Sequence, residues 1–228
     1  HMVSKLKSEG YNVVTSDVKK PEFSDSKADV FEVLDLTKYK NVKMLFEMQK
    51  YDEIYQYAAD MGGAGYIFTE ENDANVMYNS STINLNTLKC AIENKYSDNL
   101  KIFYSSSACI YPEDIQMTNQ NINLKEENAY PANPDSEYGW EKLFSERLYL
   151  SFLKNYGINV KIARFHNIYG PLGTWEGGKE KAPAAICRKV AEANENNNYE
   201  VEIWGDGEQT RSFLYIDDCI EGTRRFMN

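Results

Sequence analysis

The chain has 228 residues, of which 42% are hydrophobic and 26% charged, with a formal net charge of −10. That length can bury a real core and hold one domain, or one plus part of another, and the negative balance disfavours a nucleic-acid or anionic-membrane surface. Four cysteines (Cys90, Cys109, Cys187, Cys219) lack metal-ligand spacing and only His1 and His166 could assist them, so no metal site is expected; without a signal peptide or a long apolar run, a reducing cytoplasm fits best.

In chain order, Val3 to Glu9 reads as the tail of a helix ended by Gly10. Asn12 to Ser16 reads as a strand ending at Asp17, and Val30 to Leu34 as a second ending at Asp35. Lys38 to Gln49 has helical periodicity, Glu53 to Tyr57 is strand-like, and Ala58 to Gly63 is a loop. A long helix is expected over Asp73 to Asn94 and a strand over Ile102 to Ser106. Ser136 stands where it would cap a helix carrying Tyr138 and Lys142, followed by a strand at Val160 to Phe165. This alternation predicts an α/β fold, a Rossmann-like doubly wound parallel sheet with helices on both faces, over residues 1–167.

After Asn167 the character changes, and residues 168–228 read as part of a smaller substrate domain with a segment returning to the first. Tyr169 to Trp175 is loop-like, Pro183 suits the first turn of a helix to about Asn194, and Glu200 to Trp204 and Ser212 to Ile216 read as strands. Asp217 or Asp218 is placed to cap a last helix.

A dinucleotide fold needs a first strand and a glycine-rich turn whose amides cradle the pyrophosphate. Neither is visible in this sequence, so the chain is expected to be a fragment of a longer gene product.

Tyr138 and Lys142 lie four apart on one helix face. An ammonium beside a phenol favours the phenolate, so such a tyrosine can act as a base near neutral pH. Ser107 ends the buried strand upstream, and strand ends are where ligands sit in open α/β sheets. Cys109, two residues beyond, shares that location. An acid at Asp17 suits ribose hydroxyls and disfavours a 2′-phosphate, pointing to NAD over NADP, with Asp35 near the adenine. Gly62 permits close backbone approach to a ligand. Arg211 sits between a turn and a strand, where it could reach a cleft. His166 reads as a packed or supporting residue.

The motifs are those of a known group. Ser107, Tyr138 and Lys142 match the Ser-Tyr-Lys set of short-chain dehydrogenase/reductases. The segments Ala58 to Gly65, Ser106 to Pro112, Arg164 to Pro171, Gly178 to Ala185, Trp204 to Gly207 and Gln209 to Phe213 together resemble the GDP-mannose 3,5-epimerases, an extended branch of that superfamily. The combination of Cys109 with Glu180-Lys181-Ala182-Pro183 is the most specific element. The resemblance implies a homodimer that uses NAD to oxidise C4 of a nucleotide sugar, GDP-mannose, acidifying C3 and C5. It assigns the C4 proton to Tyr138, with Lys142 on the nicotinamide ribose and Ser107 on the C4 oxygen. Cys109 and Lys181 become the acid/base pair at the neighbouring carbons. Gly62, Ala108, Asn167, Glu180, Ala182, Lys189, Gln209 and Arg211 become contacts to sugar or diphosphate.

GDP-fucose synthases share a Ser-x-Cys-Ile-Tyr-Pro element but use NADPH and a histidine as second acid/base; Asp17 and the Lys181 run argue against them. The 4,6-dehydratases usually carry Asp-Glu where Ala108-Cys109 stands, and a simple 4-epimerase has no need of a Cys-Lys pair. A non-catalytic truncated product is the alternative of a different class. Residues 1–228 alone are expected to be inactive and to bind NAD poorly, because the pyrophosphate cradle is supplied by the missing turn. Calorimetric titration of NAD checks this, and micromolar binding would overturn it.

Overall fold

The computed structural model describes residues 1–94, 100–117, 124–203 and 205–228. A short helix α1 (Met2–Ser8) leads through Gly10, at φ +85°, into strand β1 (Val14–Asp17). β1 pairs in parallel with β2 (Val30–Val33). Helix α2 (Tyr39–Met48) leads to β3 (Glu53–Gln56), and a loop with the short α3 (Ala64–Ile67) leads to the long α4 (Asp73–Glu93). Strand β4 (Lys101–Ser107), helix α5 (Glu137–Tyr156) and strand β5 (Asn159–Phe165) follow, and β3, β4 and β5 form a parallel sheet in that order. Each parallel step requires a crossover, and the helices between the strands supply it. The chain has the Rossmann-like α/β fold that the alternation predicted.

Both faces of the three-stranded sheet are covered. Ile102 and Tyr104 point to one face, where they pack with Val42 and Phe46 of α2, Leu88 of α4 and Tyr149 of α5. Phe103 points to the other, its ring 6.0 Å from that of Tyr55 and 5.7 Å from that of Phe165. Alternate side chains buried on opposite faces are the mark of a parallel strand with helices on both sides. Helix α5 starts and stops where its sequence dictates. Ser136 Oγ accepts from the backbone N–H of Gly139 at 3.3 Å, and Gly157 closes the helix in the left-handed region at φ +72°.

The last part of the chain holds β6 (Ile168–Tyr169), α6 (Ala182–Glu195), β7 (Leu214–Tyr215) and α7 (Ile216–Met227), with β6 and β7 paired in parallel. Here the sequence reading needs correction. Residues 200–203 form no strand: Glu202 and Ile203 are exposed and the segment pairs with no described strand, while Trp204 lies outside the described residues. The strand expected over Ser212 to Ile216 contracts to two residues, because Ile216 opens α7. Asp217 and Asp218 fall in the first turn of that helix, where their charges still favour its N-terminus. β6 replaces the start of a segment read as loop.

Helix α7 packs on β5 and is tied to the opening of the chain by Arg224, whose side chain is only 4% exposed. Its guanidinium bonds Glu9 at 2.7 Å, Glu53 at 2.6 Å, the Tyr11 hydroxyl at 3.0 Å and the Tyr55 hydroxyl. Removing one partner of a buried ion cluster leaves the others uncompensated. Arg224→Met is therefore expected to lower unfolding stability by about 3–5 kcal/mol, with partial recovery when Glu53→Gln is added. Urea midpoints of the single and double variants check it, and an unchanged single-variant midpoint would remove the cluster from the stability of the fold.

Candidate active site

Ser107 closes β4 and caps the 3-10 turn Ala108–Ile110, its Oγ accepting from the Cys109 N–H at 3.2 Å. The first turn of α5 lies directly against this turn. A Cβ on Gly139 would stand 2.2 Å from the Cys109 carbonyl oxygen, so only glycine permits the approach. The contact brings Tyr138, beside Gly139, into one cluster with Cys109. One helical turn on, Lys142 is buried, donates to the Ser105 carbonyl at 2.9 Å, and sits 5.7 Å from the Tyr138 ring centroid. Ser107, Ala108, Cys109, Tyr138 and Lys142 are thus assembled at the carboxyl end of β4.

Desolvation dominates the ionisation of this cluster. Burial pushes the Tyr138 phenol well up, the Cys109 charge adding to it and a hydrogen bond from Ser107 opposing it. Burial likewise pushes the Cys109 thiol up, against the Ser107 hydrogen bond and the Lys181 charge. Burial pushes Lys142 down, with Glu141 and Cys109 opposing. The expected depression of the phenol by a neighbouring ammonium is not seen in this arrangement: loss of water dominates and shifts each group toward its neutral form.

Beneath it lies a polar network that sequence reasoning missed. Glu141 is fully buried; its Oε1 accepts from Ser145 Oγ at 2.6 Å and from Asn84 Nδ2 at 3.3 Å. Asn84 Oδ1 in turn accepts from Gln56 at 3.1 Å and from Tyr149 at 3.1 Å. A carboxylate on the apolar side of an amphipathic helix was the available signal, and Glu141 stands next to Lys142.

Lys181 is the residue preceding α6, and its charge acts on Cys109. Ala182 opens that helix, and Glu180 pairs with Arg188 at 3.5 Å. Gly62 is buried, with Tyr66 filling the space a Cβ would take. Two of the other expected contacts bond backbone carbonyls of the last part of the chain. Asn167, at φ +30°, donates to the Ser212 carbonyl at 3.0 Å, and Lys189 donates to the Glu202 carbonyl at 2.7 Å. Gln209 and Arg211 are exposed, Arg211 bonding the carbonyl of its own neighbour Thr210. His166 is half-buried, tilted against Tyr111 with ring centroids 6.4 Å apart.

Asp17 ends β1 with an exposed carboxylate that accepts from the Lys19 N–H at 3.2 Å, and Asp35 follows β2, accepting from Thr37. Both stand beyond the carboxyl ends of parallel strands, as Ser107 does. A carboxylate in water and a lysine using one of its three donors on a carbonyl suit the hydroxyls of two riboses, so the residues present fit a dinucleotide. Among the described residues no cluster of His, Cys, Asp or Glu could hold a metal ion, and no described helix is long and apolar enough to cross a membrane.

Comparison with known proteins bears on the family and the fold. A GDP-mannose 3,5-epimerase of Arabidopsis thaliana is 45% identical over 227 residues, 99% of this chain and 57% of the relative. A GDP-L-fucose synthase of Escherichia coli is 27% identical over 194 residues, 85% of this chain and 58% of the relative. The chain therefore spans a little over half the length of these relatives. The crystal structure of a Thermus thermophilus UDP-glucose 4-epimerase in complex with NAD superposes with a TM-score of 0.80 at 19% identity, covering 100% of this chain and 70% of that one. The family model for the NAD dependent epimerase/dehydratase family matches residues 1–228, and the chain belongs to that family.

Proposed function

We propose that the protein epimerises GDP-mannose at C3 and C5, giving GDP-L-galactose, through a transient 4-keto sugar and without net redox change. The observation that carries this reading is the packing of Cys109 on the cluster that holds Tyr138, with Lys181 just ahead of α6 and, against the dominant upward push of burial, its charge lowering the thiol's pKa. The 45% identity to a protein of that name supports it. His166 packs half-buried against the Tyr111 ring, in keeping with a supporting residue.

NAD, when bound, supplies the hydride acceptor that makes C4 a ketone and gives the hydride back at the end. Asp17, Asp35, Tyr138 and Lys142 are the residues proposed to hold it. Tyr138 takes the C4 hydroxyl proton and later returns it, while Ser107 holds that oxygen. A ketone at C4 acidifies C3 and C5. Cys109 and Lys181 then remove a proton from one face of each carbon and deliver one to the other. A thiol and an amine can each give and take a proton, which suits them to the two roles. Gly62, Ala108, Asn167, Glu180, Ala182 and Gln209 are proposed along the sugar, with Lys189 and Arg211 at the diphosphate.

Residues 1–167 serve the cofactor and residues 168–228 belong to the substrate side, α7 returning to the sheet. A second copy of the chain is the proposed partner of the α4–α5 face, where Leu85, Trp140, Phe144, Leu150 and Leu153 are exposed. Four free cysteines accord with a cytoplasmic setting.

Incubating the intact protein with GDP-mannose in D2O tests the reading. Deuterium is expected at C3 and C5 without accumulation of NADH; no incorporation at either carbon would overturn it. Tyr138→Phe is expected to slow C4 oxidation by about a hundredfold or more while NAD binding is nearly kept. Cys109→Ala is expected to leave hydride transfer intact and block exchange at one carbon. A variant that exchanges at both carbons like the parent would reduce the thiol to a packing group.

A further inference from the structure

Tyr66 stands between the apolar cluster that holds Tyr138 and the segment that leads to Lys181. It packs against the apolar cluster of Ile67, Val76 and Tyr138, as Cys109 does. Its Cβ and Cγ occupy the space that a Cβ on Gly62 would need, at 2.6 and 2.9 Å. Its hydroxyl donates to Asp60 Oδ1 at 2.8 Å, and Asn79 of α4 donates to Asp60 Oδ2 at 2.8 Å. The Asp60 N–H donates to Ser80 Oγ at 2.9 Å. The ring is thereby pinned to α4, with one face against Lys179, whose Nζ lies 4.0 Å from the ring centroid.

The backbones of the two segments meet beside this pair. A Cβ on Gly63 would stand 2.5 Å from the Glu180 carbonyl oxygen and 3.1 Å from that of Lys179, and a Cβ on Gly65 would stand 3.2 Å from the Gly178 carbonyl oxygen. The run from Gly178 to Glu180 is thus seated on residues 63–66. Lys181 is the next residue, and no side-chain cap bond anchors it to α6. Its placement depends on the seat of the run before it.

We propose that Tyr66 is a positioning residue: by carrying Lys179 on a ring packed on the Ile67, Val76 and Tyr138 cluster that Cys109 also joins, it sets Lys181 in register with Cys109. This rests on the reading of Lys181 as the second proton-transfer group. Tyrosine suits the role because the ring carries the ammonium while the hydroxyl, through Asp60, fixes the plane of the ring. Proton transfer is steeply sensitive to such registration, whereas hydride transfer at C4 needs only Tyr138, Ser107 and the cofactor.

The test follows deuterium incorporation at C3 and C5 from GDP-mannose in D2O, together with NADH formed in the first turnover, in the intact protein. Tyr66→Leu is expected to slow exchange by about tenfold or more at one carbon, the same carbon that Lys181→Met silences, with first-turnover NADH close to that of the parent. Tyr66→Phe keeps the ring and should retain most of the exchange. Lys179→Met removes the same contact from the exposed side and should give a smaller loss at the same carbon. Parent-like exchange in both Tyr66→Leu and Lys179→Met, or an equal loss of NADH formation and exchange in Tyr66→Leu, overturns the proposal. Exchange at both carbons in Lys181→Met overturns instead the assignment of Lys181 on which it stands.

Discussion

The carbonyl oxygen of Cys109 leaves no room for a side chain at residue 139, and the site is built around that constraint. With glycine there, the N-terminus of α5 comes down onto the turn after β4. Tyr138 then reaches Cys109, and Lys142, one turn later, reaches the last carbonyls of the strand. Pro134 presses from the other side, its Cβ 2.8 Å from where a residue-139 Cβ would be. Helix and turn are packed as one rigid piece, in keeping with the rule that catalytic constellations are better held by regular elements than by loops.

Bringing these groups together removes them from water, and that loss is larger than any gain among them. Burial moves the phenol and the thiol up and the lysine down, each toward its uncharged form. A carboxyl group, Glu141, lies behind them with bonded neighbours on one oxygen and none on the other, and burial holds its carboxyl above the usual carboxylate range. In such a desolvated cluster a charge brought by a ligand is screened less than it would be in water. Ionisation in such a place follows the occupant more than the resting protein.

Much of this was legible in the sequence, and the exceptions have identifiable causes. The strands β1 to β5 and the helices α2, α4 and α5 were readable because apolar runs alternate with amphipathic ones, and Ser136 and Gly157 mark the limits of α5. The Ser107–Tyr138–Lys142 set was readable because its members lie on regular elements whose geometry fixes their direction. After residue 167 reading weakens. Apolar residues at Ile203 and Phe213 are exposed, so the alternation that suggested strands had no buried face behind it. Asp60, Tyr66, Asn84 and Glu141 were missed for another reason. Their meaning lies in contacts across the fold, such as Asn84 with Glu141 and Tyr66 with Lys179, and no local pattern announces a bond between residues so far apart.

The cluster at Arg224 has a bearing on how the chain is made. Its bond to Glu9 joins residues 215 positions apart. On a ribosome the first of these emerges long before the second, and closing so long a loop is slow. Until α7 is synthesised, Glu9 and Glu53 lack their cation, and the apolar patch of Met2, Leu6 and Val13 lacks Ile220 from the same helix. The segment around Glu9 is thus completed by a helix synthesised 215 positions later. In that interval it is a nascent surface, available to a chaperone and vulnerable to self-association, and the arrival of a single arginine ends both conditions.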